Sequence, residues 1–578
     1  MRRGWLSPAA AALLACAPYF NALNNPFVYD DHDTVVANPS LVDLSNVQFL
    51  FLYSPFRPIV NLSYALDRWL WGYRSFGFHL TNVILHAAVV LLLCLLVRRI
   101  FDDARRSLAG PDARRPIKGR PTAEPMAFAV AAVFAVHPMQ TEAVSYISGR
   151  SELLCGLWFL AAMVLARDAI ACGSRARAAL ACGCGVLSIA SKEAGLVLPV
   201  VVIAYDWLIR PGDDDTRRRR LWRIFVPGSF LVIGVAVYRL FAVPHVTDTG
   251  AGMGALLNLL TQSIVIWRYV GLLVWPIGQS IMHGVHRVTS LADPLALLAA
   301  AALVVVAALA FGIRRRAPAV AFGLLWFLIV LAPSSSVVTL AEGMAEHRVY
   351  LASAGIFIAM SAAIAEHLLG RRAAPRGLPV AYIAAGILIT VLSALTVTRN
   401  QVWADSVALW SEATAHAEGM WEPHYALADT LRESGSCSAA VPEYRKVVEI
   451  SPRNRDAYVN LGICLAQAGQ LDEAKRAFLR VLEIDPTFAR GYTNLGALAL
   501  LEGDASRARD YYREAIAQDA RSVLARMQLA SLYEHTFHDY HAAARMCGEA
   551  RAIAPSTPGV ADCVERNQQL AAAKDQGR

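Results

Sequence analysis

Residues 457–486 read AYVNLGICLAQAGQLDEAKRAFLRVLEIDP. This stretch sets the architecture of the C-terminal part of the chain. Asn460-Leu461-Gly462 returns as Asn494-Leu495-Gly496. Tyr458 returns as Tyr492, Ala474 as Ala508, and Pro486 repeats Pro452, each 34 residues apart. That period belongs to a helix–turn–helix unit that cannot bury its apolar face alone and therefore stacks on copies of itself. Gly462 and Ala474 are small where two helices must approach. Leu461 and Phe478 are large where neighbouring units meet. Pro486 closes the second helix, because it lacks the N–H that would continue one. Degenerate copies lie at 421–452, 487–520 and 521–555, and 403–419 reads as half a unit. The spacing predicts an α-solenoid of about four units over 400–578.

The pattern is that of the tetratricopeptide repeat (TPR), whose surfaces mostly bind peptides or partner proteins. Upstream of Arg399 the composition changes. The 578-residue chain is 56% hydrophobic and 17% charged, with mean hydropathy +0.40. Soluble domains carry about 25% charged residues. A disordered chain, a disulfide-dense secreted domain and an ordinary soluble enzyme are excluded. The formal charge of +8 lies in short runs between apolar stretches, so no nucleic-acid partner is expected. Cys16, Cys94, Cys155, Cys182 and Cys184 sit in apolar runs and read as small core residues. Cys437, Cys464, Cys547 and Cys563 fall in the repeat array. They can form disulfides in an oxidising compartment or remain free, and sequence leaves the pairing open.

Apolar segments fall near 4–20, 80–97, 126–137, 153–170, 178–190, 195–209, 222–243, 258–276, 295–313, 319–333, 349–368 and 378–398. Several are shorter than the roughly 20 residues of a membrane span. Basic runs fill Arg98–Arg120, Arg167–Arg177, Arg210–Arg223, Arg314–Arg316 and Arg371–Arg376, and by the positive-inside rule these face the cytoplasm. Asn21–Gly77, His137–Ser151, Ser191–Gly195, Pro244–Leu257 and Pro333–Arg348 face the other side. The alternation holds if 258–276 does not cross. It is therefore expected to be interfacial or re-entrant, tied down by Trp267, Arg268, Trp275 and Pro276. This makes an all-α bundle of about eleven spans over 1–399, with the TPR array outside; a twelve-span chain with a cytoplasmic array is the alternative. Met1-Arg2-Arg3, an apolar run and Ala15-Cys16-Ala17 imitate a signal peptide. Pro18 argues for an uncleaved first span.

The scarcer mixed charges gather on the outer face of this topology. The first outer loop holds Asp30, Asp31, His32 and Asp33, which can act as a general base or bind a cation. Arg57 follows in the same loop. Phe78-His79-Leu80-Thr81-Asn82 opens the second span. His137-Pro138 ends the third, followed by Glu142, Gly149, Arg150 and Glu152. Ser191-Lys192-Glu193 separates the fifth and sixth. Glu346-His347-Arg348-Val349-Tyr350 opens the eleventh. Any one cluster is accounted for by a solvated loop or by snorkelling. Five on one face, counting the first-loop acids, read as a functional site. A carboxylate can deprotonate a hydroxyl acceptor. Arg57, Arg150, Lys192 and Arg348 can hold a phosphate leaving group as its charge grows. An adjacent apolar bundle accommodates a lipid tail. That is the kit for sugar transfer from a lipid-phosphate donor.

No GxSxG, HExxH, Walker A or well-placed GxGxxG competes. Gly250–Gly254 reads as a flexible outer loop. His283 and His286 lack a third ligand and read as a wet interfacial face rather than a metal site. Transporter signatures, such as paired broken helices, are missing.

The ordered motifs YDDHDTVVANPSL, FRPIVNLSYALD, FHLTNVILH, HPMQTEAVSYISGRSELL, SKEAG and EHRVYLAS, followed by TPRs, resemble the transmembrane-and-TPR (TMTC-like) proteins over nearly the whole chain. Those proteins are similar to GT-C glycosyltransferases near the protein O-mannosyltransferases. The resemblance implies a first-loop acidic base, here Asp31 or Asp30, and a polyprenyl-phosphate sugar donor. It places Glu142, Arg150, Lys192, Glu193, Glu346 and Arg348 in matching motifs. Arg57 and His79 join them as candidate substrate- or phosphate-binding residues on chemical grounds. His347 inside the Glu-Arg motif and Ala352 in place of a common proline are departures. Ala- and Arg-rich usage with short loops is bacterial in character. The lipid would then be undecaprenyl-type and the outer side the periplasm. No tightly bound cofactor is expected. A divalent metal on Asp30, Asp31 and Asp33 stays open. The activity implied is transfer of a sugar, mannose in the family, to a protein hydroxyl, with the TPR groove recruiting the acceptor. The alternative is a non-enzymatic membrane-anchored TPR scaffold.

Overall fold

Long apolar runs leave the backbone one way to satisfy its polar groups within hydrocarbon, the helix. In the computed structural model every regular element among the described residues is helical. The structure describes residues 6–109, 123–210, 254–335, 342–370 and 377–577, with positions 215, 234 and 340. Two units result, 1–409 and 410–578.

The first unit contains α1 (Leu6–Cys16), α2 (Val47–Tyr53), α3 (Pro58–Trp71), α4 (Ser75–Ala109), α5 (Ala123–Val136), α6 (Thr141–Val144), α7 (Arg150–Cys172), α8 (Arg175–Ile189) and α9 (Leu198–Leu208). It continues through α10 (Ala255–Val274), α11 (Pro294–Ile313), α12 (Pro318–Leu331), α13 (Tyr350–Gly370) and α14 (Gly377–Val402). Among the described residues six helices are long and apolar enough to cross a membrane. A seventh arises if Ala123–Val136 and Pro138–Val144, bent by 59°, form one span. Leu6–Ala22 and Pro318–Leu331 are shorter apolar helices. Apart from position 234, the expected segment 222–243 lies outside the described residues, as do most of the basic runs near 110–122, 211–223 and 371–376.

The core is a chain of buried rings. Tyr205 meets Phe322, Phe322 meets Trp326, and Trp326 meets Phe159, all edge-on. Such edge-to-face contacts suit the ring quadrupoles. Ala11, Ala15 and Tyr19 bury α1 and the turn after it in the same core.

The two ends of this unit differ chemically. At one end Asp103 accepts from both Nε and Nη2 of Arg167 and from the Tyr205 hydroxyl. Arg99 pairs with Asp168, and Arg314 lies over Trp207. Phe101, Leu108, Met126, Pro318 and Ala362 line one cavity there, so the end of α4, the start of α5, the start of α12 and the end of α13 come together. The outer-loop motifs gather at the opposite end.

Segment 258–276, expected to be interfacial or re-entrant, has no break along its length. It is a single unbroken helix, α10, of 20 residues that meets the length and composition of a span. The re-entrant form is therefore not adopted. Gln262 donates to the Gly343 carbonyl, and Arg268 to that of Gly284. The Tyr269 hydroxyl donates to the Ala345 carbonyl, and the Leu273 carbonyl meets His137. These partners belong to the motif-bearing end.

The second unit holds the repeat array, α16 (Glu422–Glu433) to α24 (Val560–Asp575), preceded by α15 (Ser406–His416), which straddles the division. Gly435, Gly469 and Gly503, 34 residues apart, each take φ near +80°. They end the first helix of a unit in the left-handed conformation that glycine adopts without cost. Gly462 and Gly496 lie against the rings of Phe478 and Tyr512, as the pattern predicts. Cys437 is joined to Cys464 and Cys547 to Cys563, which resolves the pairing left open by sequence.

Candidate functional site

The segment His137–Arg150 is the hub. Pro138 has no N–H with which to extend α5, and the His137 ring accepts from the Met139 N–H to start a new turn. The chain bends and stays buried through Arg150. Buried backbone needs partners, and distant segments supply them. Asn82 donates to the carbonyls of Val144 and Tyr146, and the Tyr64 hydroxyl to that of Ile147. Ser145 donates to Asn400, and Gln140 to Ser353. A Cβ at Gly149 would stand 2.5 Å from the Glu142 carbonyl oxygen. The fold of the hub therefore requires glycine there.

The two first-loop acids separate. Asp31 is fully buried. One oxygen accepts from the Val28 N–H at 3.1 Å, the other from the N–H and hydroxyl of Ser148 at 2.8 and 2.7 Å. Burial raises its pKa to about 7, against the pull of those donors. Asp30 is exposed. Partial desolvation and the neighbouring Asp33 raise its pKa; Tyr146 and Arg57 act the other way. Tyr29, at φ +52°, stacks on Tyr146, and Tyr146 stacks on Trp403 at 5.4 Å. The Tyr29 hydroxyl bonds Glu342.

The motif after residue 340 closes on this floor. Glu142 accepts from the backbone N–H of His347 at 3.0 Å and pairs with its imidazole. Arg348 donates to the Glu342 carbonyl and lies 3.6 Å from its carboxylate. Glu342 is pushed up by burial, and Asp30 and Glu142 add to that push while His347 and Arg348 oppose it. His347 stands within electrostatic reach of Lys192 and Glu152, which form a buried ion pair. Glu193 lies 3.8 Å from Arg57, both partly exposed. Asp30, Arg57, Glu142, Lys192, Glu193 and Arg348 thus belong to one neighbourhood.

Three expected binding residues are otherwise engaged. Arg150 has no exposure. It donates to Asn82 and to the Phe78 carbonyl, pairs with Asp67 at 2.6 Å, and lies over the Tyr64 ring. With its fork saturated it anchors α7 to α3 and α4 and leaves no edge for a phosphate. His79 is buried and meets the Asn25 carbonyl at 3.1 Å. Glu346 is buried and accepts from Gln279, the Ser280 N–H and His283. It fixes the 279–283 loop. His283 is therefore buried, contrary to the wet face expected of it, whereas exposed His286 pairs with Asp293. Among the described residues no three His, Cys, Asp or Glu groups converge as a metal site.

Sequence reasoning missed Arg399, which stands there only as a change in composition. It is buried, lies over Trp403, and acts electrostatically on Glu142 and Glu346. A lone arginine ending an apolar helix is the signal that could have found it. Tyr29, Tyr146 and Glu342 were also missed.

The tetratricopeptide repeat family profile matches residues 431–497. The chain is 24% identical over 461 residues to Protein O-mannosyl-transferase F38B6.6 of Caenorhabditis elegans, covering 76% of this chain and 62% of that protein. It is 24% identical over 528 residues to Protein O-mannosyl-transferase TMTC1 of Homo sapiens, covering 80% and 57%. The chain thus spans about three-fifths of the length of these curated relatives. Among solved structures, a thermophilic TPR protein of Thermus thermophilus matches with TM-score 0.25 and 21% identity, over 28% of this chain and 88% of that one. The curated relatives bear out the resemblance to TMTC proteins drawn from the motifs.

Proposed function

We propose that the motif-bearing end is a sugar-transfer centre. It moves a sugar, mannose by analogy with the relatives, from a polyprenyl-phosphate donor to a protein hydroxyl. The observation that carries this reading is the convergence of the first-loop acid, the Glu142 hub, Lys192 with Glu152, and the Glu342–Arg348 segment. Asp30 serves as base, because its carboxylate is the one of the acidic pair open to an acceptor. The hydroxyl gives its proton to Asp30 as its oxygen attacks the anomeric carbon, and the bond to the phosphate oxygen breaks. Arg57 and Arg348 stabilise the charge growing on that phosphate. Lys192, held by Glu152, adds positive potential. The site faces away from the cytoplasm in a bacterial inner membrane, and the TPR groove recruits the acceptor. Disulfides in the array fit an oxidising compartment.

The test uses purified full-length protein in vesicles, radiolabelled polyprenyl-phosphate mannose, and membrane proteins from cells lacking this chain. Asp30→Asn is expected to lower transfer by about 10²–10⁴-fold, the usual worth of a general base. Unchanged transfer would remove Asp30 from the mechanism. The saturation of Arg150 and Glu346 favours a scaffold as second reading. On that reading deleting the TPR array abolishes function and Asp30→Asn does not.

A further inference from the structure

Among the described residues, five histidines of the first unit are buried or half-buried: His79, His86, His137, His283 and His347. An imidazole has two ring nitrogens, and their partners reveal its task. Four of the five are anchors. Both nitrogens of His86 are engaged, by the Tyr350 hydroxyl and the Ala135 carbonyl. So are both of His137, by the Leu273 carbonyl and the Met139 N–H. His283 is held by Glu346 and Arg268. His79 meets the Asn25 carbonyl through Nε2, and its Nδ1 is sealed without a partner. Rings held in these ways have no nitrogen open to a substrate.

His347 differs. Its Nδ1 pairs with Oε1 of Glu142, and its backbone N–H donates to Oε2 of the same carboxylate. The Glu142 side chain is 4% exposed and the imidazole 20%. Among the described residues nothing bonds Nε2, and it is not sealed off as Nδ1 of His79 is. A ring gripped at one nitrogen by a buried carboxylate and open at the other is set for proton transfer. Its surroundings are charged. Lys192 and Arg348 act on it electrostatically, as do their partners Glu152 and Glu342. Glu342 is within electrostatic reach of both Asp30 and His347, so the proposed base and the imidazole share one neighbourhood.

We infer that His347 is a catalytic residue, the general acid that protonates the departing phosphate oxygen, with Glu142 as its proton store. The step rests on the proposed transfer reaction. The contact between Nδ1 and Oε1 needs one hydrogen. In the loaded state Glu142 carries it, and the neutral ring carries its own on Nε2. The bond from the anomeric carbon to the phosphate oxygen breaks, and its electron pair stays on that oxygen. Nε2 gives its proton to the oxygen while Nδ1 takes the proton of Glu142. Asp30 takes the hydroxyl proton of the acceptor and releases it to water, and water reloads Glu142 and His347. One proton leaves the acceptor and one joins the phosphate. The ring passes the proton on without becoming a third cation beside Lys192 and Arg348, where like charges repel.

The test uses full-length protein in vesicles and the same transfer assay. His347→Asn keeps an amide donor where Nδ1 stands and has no Nε2. It is expected to lower kcat by about 10²–10⁴-fold, the usual worth of a general acid, with KM little changed. His347→Ala is expected to fall as far and to regain activity with added imidazole. Full activity of His347→Asn would make the role structural and overturn the inference. So would a loss in His347→Ala that imidazole does not restore. A second measurement needs no turnover. Diethyl pyrocarbonate, which acylates accessible neutral imidazole, is expected to modify His347 and spare His86, His137 and His283. Short-chain polyprenyl phosphate is expected to protect His347, and modification without protection would overturn the phosphate contact. No transfer by the unmodified protein defeats the transfer reading and the acid with it. Transfer that depends on Asp30 but not on His347 defeats the acid alone.

Discussion

Asp30 and Asp31 are adjacent, yet one faces outward and the other is sealed behind Ser148 and Val28. The difference comes from the turn at Tyr29, whose positive φ is uncommon for a bulky residue and places its ring on Tyr146. A buried acid has a thermodynamic signature. Asp31 is raised from 3.8 to about 7 in the folded state. Folded protein then binds more protons than unfolded protein between about pH 4 and 7, so Asp31's contribution is present below pH 4 and is lost as pH rises to 7. The shift is worth on the order of a few kcal/mol. Asp31→Asn cannot titrate. Its melting temperature relative to the unmodified protein is expected to rise from pH 4 to pH 7, measured in detergent. A constant gap would show that Asp31 is not a buried titrating acid.

At the scale of elements, the hub His137–Arg150 does most to assemble the site. Its bend at Pro138 and its turn at Gly149 bring Glu142 under His347. Gly149→Ala adds a Cβ against the Glu142 carbonyl. Overpacking of this kind costs about 1–3 kcal/mol. The variant is expected to melt lower and to lose transfer activity, whereas Ala143→Gly, beside it, loses stability alone. Equal activity of Gly149→Ala and unmodified protein would show that the hub does not need this close approach. The apolar runs and their helical period make most of these elements legible in the sequence. The two helices of the first outer loop, α2 and α3, are harder to see there. The acids dominate the reading of that loop, and its apolar residues show a helical period only once Asn61 and Tyr64 are known to face inward.

At the scale of the molecule, two units follow different rules. The first is held by apolar helices and a few saturated ion pairs, Arg150 with Asp67 and Arg167 with Asp103. The second is a stack of short amphipathic helices with two cross-links. Intact mass under denaturing, non-reducing conditions is expected to show two disulfides, assigned by peptide mapping to Cys437–Cys464 and Cys547–Cys563. Native disulfides of this kind contribute about 2–4 kcal/mol each. Reduction is expected to lower the melting transition of the array, followed by its far-ultraviolet circular dichroism. Four free thiols at those positions in protein isolated without reductant would refute the pairing.

The repeat array, the long apolar helices and the set of charged motifs from which a site can be built are all legible in the amino-acid order. Each is a local property. A 34-residue period, an apolar run or an acidic pair is visible without knowing what lies next to it. Which of those charges remain available is a matter of long-range packing. Arg150 and Glu346 look like ligands in sequence, but buried charge must be paired, and Asp67 and His283 supply the partners from distant segments. Asp30 and Asp31 look alike for the same reason. What distinguishes them is the presence of Ser148, 117 residues away, and a backbone can bring it there only by folding.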